Sequence, residues 1–242
     1  MDDTRLNEIC KQLRLSHLPQ AVANDSFETK EEWLVFLLEN EMKCREEVKT
    51  ARLFKQAKFP ARRSLDNYQW TDQIATANEN SKDELISLSF IRQKENAVFV
   101  GTPGTGKTHL ACALGQMATK EGLETRFWRV SDLVSELERQ WKNNTLESFK
   151  HRFDKVKLII LDEMGYVPFT KEGAELLFQL ISDWYETKSV IVTSNLEFSQ
   201  WSKVFIDARL TAALVDRLIH HAHILSFTGE SFRLKNALSK GT

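Results

Sequence analysis

The chain has 242 residues, 42% hydrophobic and 28% charged, with a formal net charge of −1. That balance describes a folded protein with a proper core, holding one large domain or one ordinary domain plus a small one, and its global charge does not announce a nucleic-acid binder. No apolar run approaches the roughly 18 residues of a membrane span, no leader pattern is visible, and Cys10, Cys44 and Cys112 lack C-x-x-C spacing. These features point to a cytoplasmic protein with no membrane partner, no disulfide framework and no zinc site.

Residues 1–65 contain no glycine and read as helix. Leu6, Ile9, Cys10 and Leu13 recur on one face of a short amphipathic helix. Pro19 and the polar residues 24–28 interrupt it, and Thr29-x-x-Glu32 then matches a capping box ahead of Trp33, Phe36 and Leu37. Nothing breaks the helix from there to about Lys58, a rod of roughly 40 Å. Its first half is acidic and apolar. From residue 48 to 65 there is no acid, against Lys49, Arg52, Lys55, Lys58, Arg62 and Arg63. Arg45, Lys49, Arg52 and Gln56 share one helical face, with Glu41 spaced to pair with Arg45. Such a segment is a solvated face, a seat for an acidic partner, or a nucleic-acid contact.

A small helical domain over residues 1–65 thus precedes a second domain over residues 66–242. Phe59-Pro60 closes the long helix, and Tyr68 and Trp70 stand in a polar loop, either to stack on a base or to pack. Ser81-x-x-Glu84 is a second capping box, opening a helix to about Gln93.

The apolar run Ala97, Val98, Phe99 and Val100 then stops at Gly101-Thr102-Pro103-Gly104-Thr105-Gly106-Lys107-Thr108, which fits G-x-x-x-x-G-K-[ST] at every fixed position. The glycines let several backbone N–H groups turn inward as an anion-binding concavity at a helix N-terminus. Lys107 brings a compact positive charge to the β/γ-phosphates of ATP, and the Thr108 hydroxyl is placed to ligate Mg²⁺. His109 follows the loop directly.

The helix Lys107–Lys120 ends near Gly122, and residues 125–130 form a short strand. Ser131 caps a helix to about Trp141, Asn143-Asn144 breaks it, and residues 146–153 are a further helical piece. Residues 157–161 form a buried strand ending in Asp162-Glu163. Asp162 can hold Mg²⁺, and Glu163 can accept a proton from an attacking water. Residues 189–193 are the next buried strand, ending at Ser194-Asn195, where Asn195 either positions a water near the γ-phosphate or serves as a turn residue. Residues 208–221 read as a helix carrying Asp216-Arg217 near its end, before a strand over residues 223–227. Arg217 suits an arginine finger supplied to a neighbouring subunit, or a local ion pair with Asp216. His220, His221 and His223 cluster, but no convergent ligand set accompanies them. Gly229-Glu230-Ser231-Phe232-Arg233 begins a last helix from which Arg233 either reaches the phosphates or stays on the surface. Strands alternating with helices imply a parallel α/β sheet covered on both faces, with ligands beyond the strand C-termini.

With the loop, the acidic pair, Asn195, Arg217 and Arg233 in this order, residues 60–238 resemble an AAA+ P-loop ATPase of the initiator and helicase-loader group. GTPGTGKTHLA, DEMGYVPF, VTSNLEF and DRLIHHAHIL-SFTGESFRL together closely resemble the IstB-type transposition helper ATPases, and the basic N-terminal segment with AKFP is similar too. The resemblance implies ATP hydrolysis at an inter-subunit site and a homo-oligomer on double-stranded DNA. It also implies a transposase partner of the insertion-sequence type, helped in target selection. On it, residues 101–108 would be the Walker A loop, Asp162 and Glu163 Walker B, Asn195 sensor 1, Arg217 the finger and Arg233 sensor 2, with only a minimal C-terminal lid. It also favours the basic segment as a sequence-tolerant DNA contact. The alternatives are a replicative helicase loader, a self-contained P-loop kinase, or a DNA-binding scaffold that binds ATP without hydrolysing it.

Overall fold

Helical periodicity in the first sixty residues gives way to short apolar runs, and the architecture changes with it. The computed structural model describes residues 3–21, 27, 29–66, 68–165, 168–205 and 207–232. Its contacts separate two compact units, residues 1–52 and 53–242. The division therefore falls inside the long helix rather than at residue 65. Residues 53–65 join the second unit because they pack there: Phe59 lies against its core, and Gln116 accepts from the Arg63 N–H (3.0 Å) and donates to the Ala61 carbonyl (2.7 Å).

The first unit contains α1 (Asp3–Gln12), α2 (Leu18–Ala21) and most of α3 (Lys30–Ala57). The capping box forms as the residue types dictate: the Glu32 N–H donates to Thr29 Oγ1 (3.2 Å) and the Thr29 N–H to Glu32 Oε2 (3.4 Å). The core is small, with Cys10, Leu18 and Leu37 buried and Leu6, Leu15 and Phe36 against them. Glu41 is buried beside it, accepting from the His17 N–H (2.7 Å) and Arg45 Nε (2.8 Å). Burial alone would raise its pKa, but the bonds from Arg45 and His17 outweigh that and hold the carboxyl below its usual value.

The second unit runs β1 (Ile74–Thr76), α4 (Ser81–Ile86), α5 (Ser89–Gln93), β2 (Asn96–Gly101), α6 (Lys107–Lys120), β3 (Thr125–Arg129) and α7 (Val130–Lys142). It continues with α8 (Leu146–Lys150), β4 (Leu158–Met164), α9 (Lys171–Trp184), β5 (Ser189–Ser194), α10 (Ser202–Phe205), α11 (Ala208–Ile219) and β6 (Ala222–Phe227). The sheet order is β1-β6-β2-β5-β4-β3, parallel throughout except for β1, which is antiparallel to β6. Alternation along the strands separates two cores. Val98, Ile159, Leu161, Val190 and Val192 face α7, α9 and α11, while Ala97, Phe99, Ile160, Ile191 and Leu225 face α5 and α6. Each fully buried aliphatic side chain contributes about 1.5–3 kcal/mol, so the two-sided sheet dominates the stability of this unit. Among the described residues no helix is long and apolar enough to cross a membrane.

The region after Ser81 differs from the expected single helix. Leu88 takes a left-handed conformation (φ +56°) that splits it into α4 and α5, which lets Leu85, Leu88 and Phe90 all reach the core. Ser81 forms no box with Glu84; it begins the helix, and its hydroxyl meets His223 Nδ1 at 3.2 Å. Likewise α7 starts at Val130 with Arg129 in the cap position, so Ser131 is not the cap. Of the three histidines only His223 stands apart: it is buried against Glu95 (3.0 Å), whereas His220 and His221 are exposed with their rings 4.2 Å apart, and His220 bonds the Tyr185 hydroxyl (2.8 Å).

A candidate nucleotide site at the strand C-termini

β2 delivers the glycine loop to the C-terminal edge of the sheet, and α6 leaves from it. Gly101 sits at φ +139°, and a Cβ there would lie 2.0 Å from the Phe227 carbonyl oxygen of β6. No other residue fits so close an approach. Gly106, at φ +99°, turns the chain into the first turn of α6, whose N–H groups are the anion-binding end of that helix. Lys107 Nζ is buried and donates to the Gly101 and Thr102 carbonyls, both at 2.7 Å, which fixes the ammonium at the centre of the loop.

β4 brings the acidic pair to the same edge, and β5 sets Thr193 beside it. Thr108 Oγ1 donates to Asp162 Oδ1 at 2.7 Å, and Thr193 Oγ1 donates to the same oxygen at 2.6 Å. A hydroxyl and a carboxylate at this spacing are the hard oxygen donors that Mg²⁺ prefers, so the residues fit that ion. Thr193 Oγ1 also accepts from the Glu163 N–H (3.0 Å). Glu163 takes a left-handed φ of +62° at a break in the β4–β5 register, which turns its side chain out of the strand while Asp162 stays buried. Its carboxylate is half exposed, 4.0 Å from Arg129 Nε.

A cavity of about 700 Å³ holds these groups together, with Lys107, Thr108, Asp162, Glu163 and Asn195 in its wall. Arg63 and Arg129 also line it, which separates Arg63 from the other basic residues near the end of α3. Burial, with Asp162 adding to it, pushes the Cys112 thiol at the cavity's edge up to about 12, so it stays protonated there. A second cavity of about 380 Å³ adjoins the loop at Thr105, Gly106 and His109, and is closed by Tyr68, Ile74 and Phe227. Tyr68 packs edge-on to Trp70 (5.3 Å), and among the described residues its buried hydroxyl has no hydrogen-bond partner. The chain returns over the loop after β6, with Thr102 Oγ1 donating to the Gly229 carbonyl (3.2 Å) and the Phe232 N–H to the Gly104 carbonyl (3.0 Å).

Arg217 is elsewhere. Asn96 Nδ2, at the first residue of β2, donates to the Leu218 carbonyl (3.2 Å), so the end of α11 lies at the opposite end of β2 from the glycine loop. Five residue steps of strand separate the two ends by roughly 17 Å. The guanidinium lies 4.8 Å over the Phe178 ring and donates to the Ala213 carbonyl (3.1 Å) rather than pairing with Asp216. Arg233 lies outside the described residues. Of the basic stretch, Arg45 is held by Glu41 and the Arg14 carbonyl, while Lys49 and Arg52 are exposed on α3 in the first unit. In the second unit Lys55, Lys58 and Arg62 are exposed.

Two residues here escaped the sequence reading. Thr193 looks like one more β-branched residue in a buried strand, and only the β4–β5 pairing sets its hydroxyl between Asp162 and Glu163. Arg129 ends a strand whose neighbour could not be named from sequence.

The sequence model of the IstB-like ATP binding protein family matches residues 8–240. A protein named as the ATP-binding protein of insertion sequence IS232, from Bacillus thuringiensis subsp. berliner, is 41% identical over 86% of this chain and 83% of its own length. Its counterpart named for IS5376 in Geobacillus stearothermophilus is 37% identical over 96% of this chain and 94% of its own length. Among solved structures, AMPPCP-bound DnaA from Aquifex aeolicus superposes with a TM-score of 0.57 at 21% identity, over 76% of this chain and 55% of that one. The DnaC helicase loader superposes with a TM-score of 0.51 at 23% identity, over 73% of this chain and 99% of that one. These likenesses establish the fold as that of the AAA+ P-loop proteins, with a helical N-terminal region before it.

Proposed function

This chain belongs to the IstB-like ATP binding proteins, and from that premise we propose that it is an ATP-hydrolysing switch that assembles on duplex DNA and serves a transposase of its insertion sequence. The observation that carries the hydrolytic part is the joining of Thr108, in the first turn of α6, with Asp162 and Glu163, near the end of β4, in one cavity with Lys107.

In this reading Lys107 and the loop N–H groups bind the β- and γ-phosphates, and Tyr68 closes the base end. Thr108 and Asp162 hold Mg²⁺, which when bound neutralises phosphate charge. Asn195 and Glu163 orient a water, whose oxygen bonds to the γ-phosphorus as the bond to the β–γ bridging oxygen breaks. Its proton passes to the Glu163 carboxylate. Arg217, some 17 Å of strand away from its own loop, serves the site of a neighbouring copy. Lys49, Arg52, Lys55, Lys58 and Arg62, with Arg45, neutralise DNA phosphates, which predicts binding tolerant of sequence and sensitive to salt. The insertion-sequence names of the relatives support a transposase as the partner.

The test is ATPase rate against protein concentration, with and without duplex DNA, for the wild type and Glu163→Gln. A specific rate that climbs with concentration and with DNA, and that is lost in the variant while nucleotide still binds, supports the reading. A constant specific rate indifferent to DNA would mean a self-contained P-loop enzyme.

A further inference from the structure

β3 is one of the two edge strands of the sheet, and a notch of about 30 Å³ opens beside it, between the residues that end α3 and the helical segment that follows α7. Its walls are aromatic: Trp128 meets Phe149 edge-on at 6.1 Å, and Phe149 meets Phe153 at 5.5 Å. Three cations stand around these rings. Lys58 Nζ lies 5.8 Å from the Trp128 centroid, and the Arg152 guanidinium 5.3 Å from that of Phe149. Arg126 is the third; its side chain is 19% exposed.

Counter-charge is short. Among the described residues, the one carboxylate within 4 Å of any of the three is Glu124, 3.5 Å from Arg126. Glu136 also feels Arg152, but it is already bonded by Arg139 and by Gln140 (2.8 Å). Burial depresses the Arg126 pKa, Glu124 partly offsets this, and the Arg152 charge adds to the depression. Three positive charges against one, gathered at a largely buried guanidinium, favour an anion.

The chemistry of that anion follows from shape. A guanidinium resting on a ring keeps its edge N–H groups free, in the fork that matches two phosphate oxygens. A volume near that of a single water admits oxygens of one phosphate and excludes a base or a small metabolite. The notch also continues an existing run: Lys55, Lys58 and Arg62 follow one another along the chain, and Arg62 sits 6.0 Å over the Phe54 ring in the same cation-on-ring manner.

We propose that Lys58, Arg126 and Arg152 form a subsite for one backbone phosphate of duplex DNA, carrying the interface from the end of α3 onto the edge of the sheet. The subsite rests on the DNA-binding reading above and adds to it two residues distant in sequence from the basic segment.

The test is anisotropy of a mixed-sequence duplex with the full chain, titrated across a range of KCl concentrations, for the wild type, Arg152→Gln, Arg152→Lys and Arg126→Gln. Arg152 is exposed, so its variants carry the test even if Arg126→Gln fails to fold. The expected result is that Arg152→Gln flattens the slope of log K against log salt by about 0.9, the value of one phosphate, for any duplex sequence, and that Arg152→Lys restores it. An unchanged slope with DNA binding retained overturns the subsite alone, and so does an Arg152→Gln variant that loses self-association instead. A wild-type protein that binds no duplex overturns both the subsite and the reading beneath it.

Discussion

Thr193 donates to Asp162 Oδ1 at 2.6 Å and accepts from the Glu163 N–H at 3.0 Å, so one hydroxyl fixes both acids of the candidate site. Replacing Thr193 by Val keeps shape and removes both bonds. The expected outcome is a rise of about 10- to 100-fold in the Mg²⁺ concentration needed for half-maximal nucleotide binding, the cost typical of a lost ligand-orienting group. Thr193→Ser should restore it. A Val variant with an unchanged Mg²⁺ midpoint would reduce Thr193 to packing.

Arg217 and Lys107 lie at opposite ends of β2, which makes complementation between variants informative. Arg217→Ala is expected to lower the ATPase rate on the order of 10³-fold with nucleotide binding kept. Mixed with Lys107→Ala, it should regain activity, because intact loops on one variant then meet intact arginines on the other. Silence of the mixture would place Arg217 outside the chemistry.

Tyr68 gives readouts of opposite sign. Its buried hydroxyl has no partner among the described residues and so costs desolvation, and burial also raises its pKa. Tyr68→Phe should therefore stabilise the nucleotide-free protein by about 1 kcal/mol in thermal melting. If that hydroxyl takes its partner from the bound base, the same change weakens fluorescent-nucleotide binding several-fold.

Glu41 ties the small first unit to acidity. Its folded pKa lies below its unfolded one, so its contribution is fully present above about 4.5 and disappears as pH falls through the folded value. Glu41→Gln should destabilise residues 1–52 by about 1–3 kcal/mol at neutral pH, read by hydrogen exchange corrected for intrinsic rates. The gap from the wild type should close in acid.

The glycine loop was legible in the sequence because its chemistry is local: each glycine and the Lys107-Thr108 pair act within a few residues of one another. The Thr29–Glu32 capping box and the end of α3 near Lys58 were legible for the same reason. β1 was not, since three residues, Ile74 to Thr76, carry no period, and only pairing with β6 makes them a strand. α9 does carry a signal in the sequence, with Ala174, Leu177, Leu180, Ile181 and Trp184 on one face behind the Thr170 cap. Leu88 shows the limit of caps and periodicity: a left-handed break bought by core burial overrides an otherwise helical stretch. Thr193 was illegible in principle, because its role exists only across strands.

The left-handed backbone at Glu163 sets stability against use. A non-glycine residue held there costs on the order of 1–3 kcal/mol, which glycine would recover. A library of this chain selected for heat resistance alone should therefore drift to glycine at position 163 and lose turnover as it does so. Retention of glutamate in survivors screened for activity would measure how strongly function, rather than folding, dictates that residue.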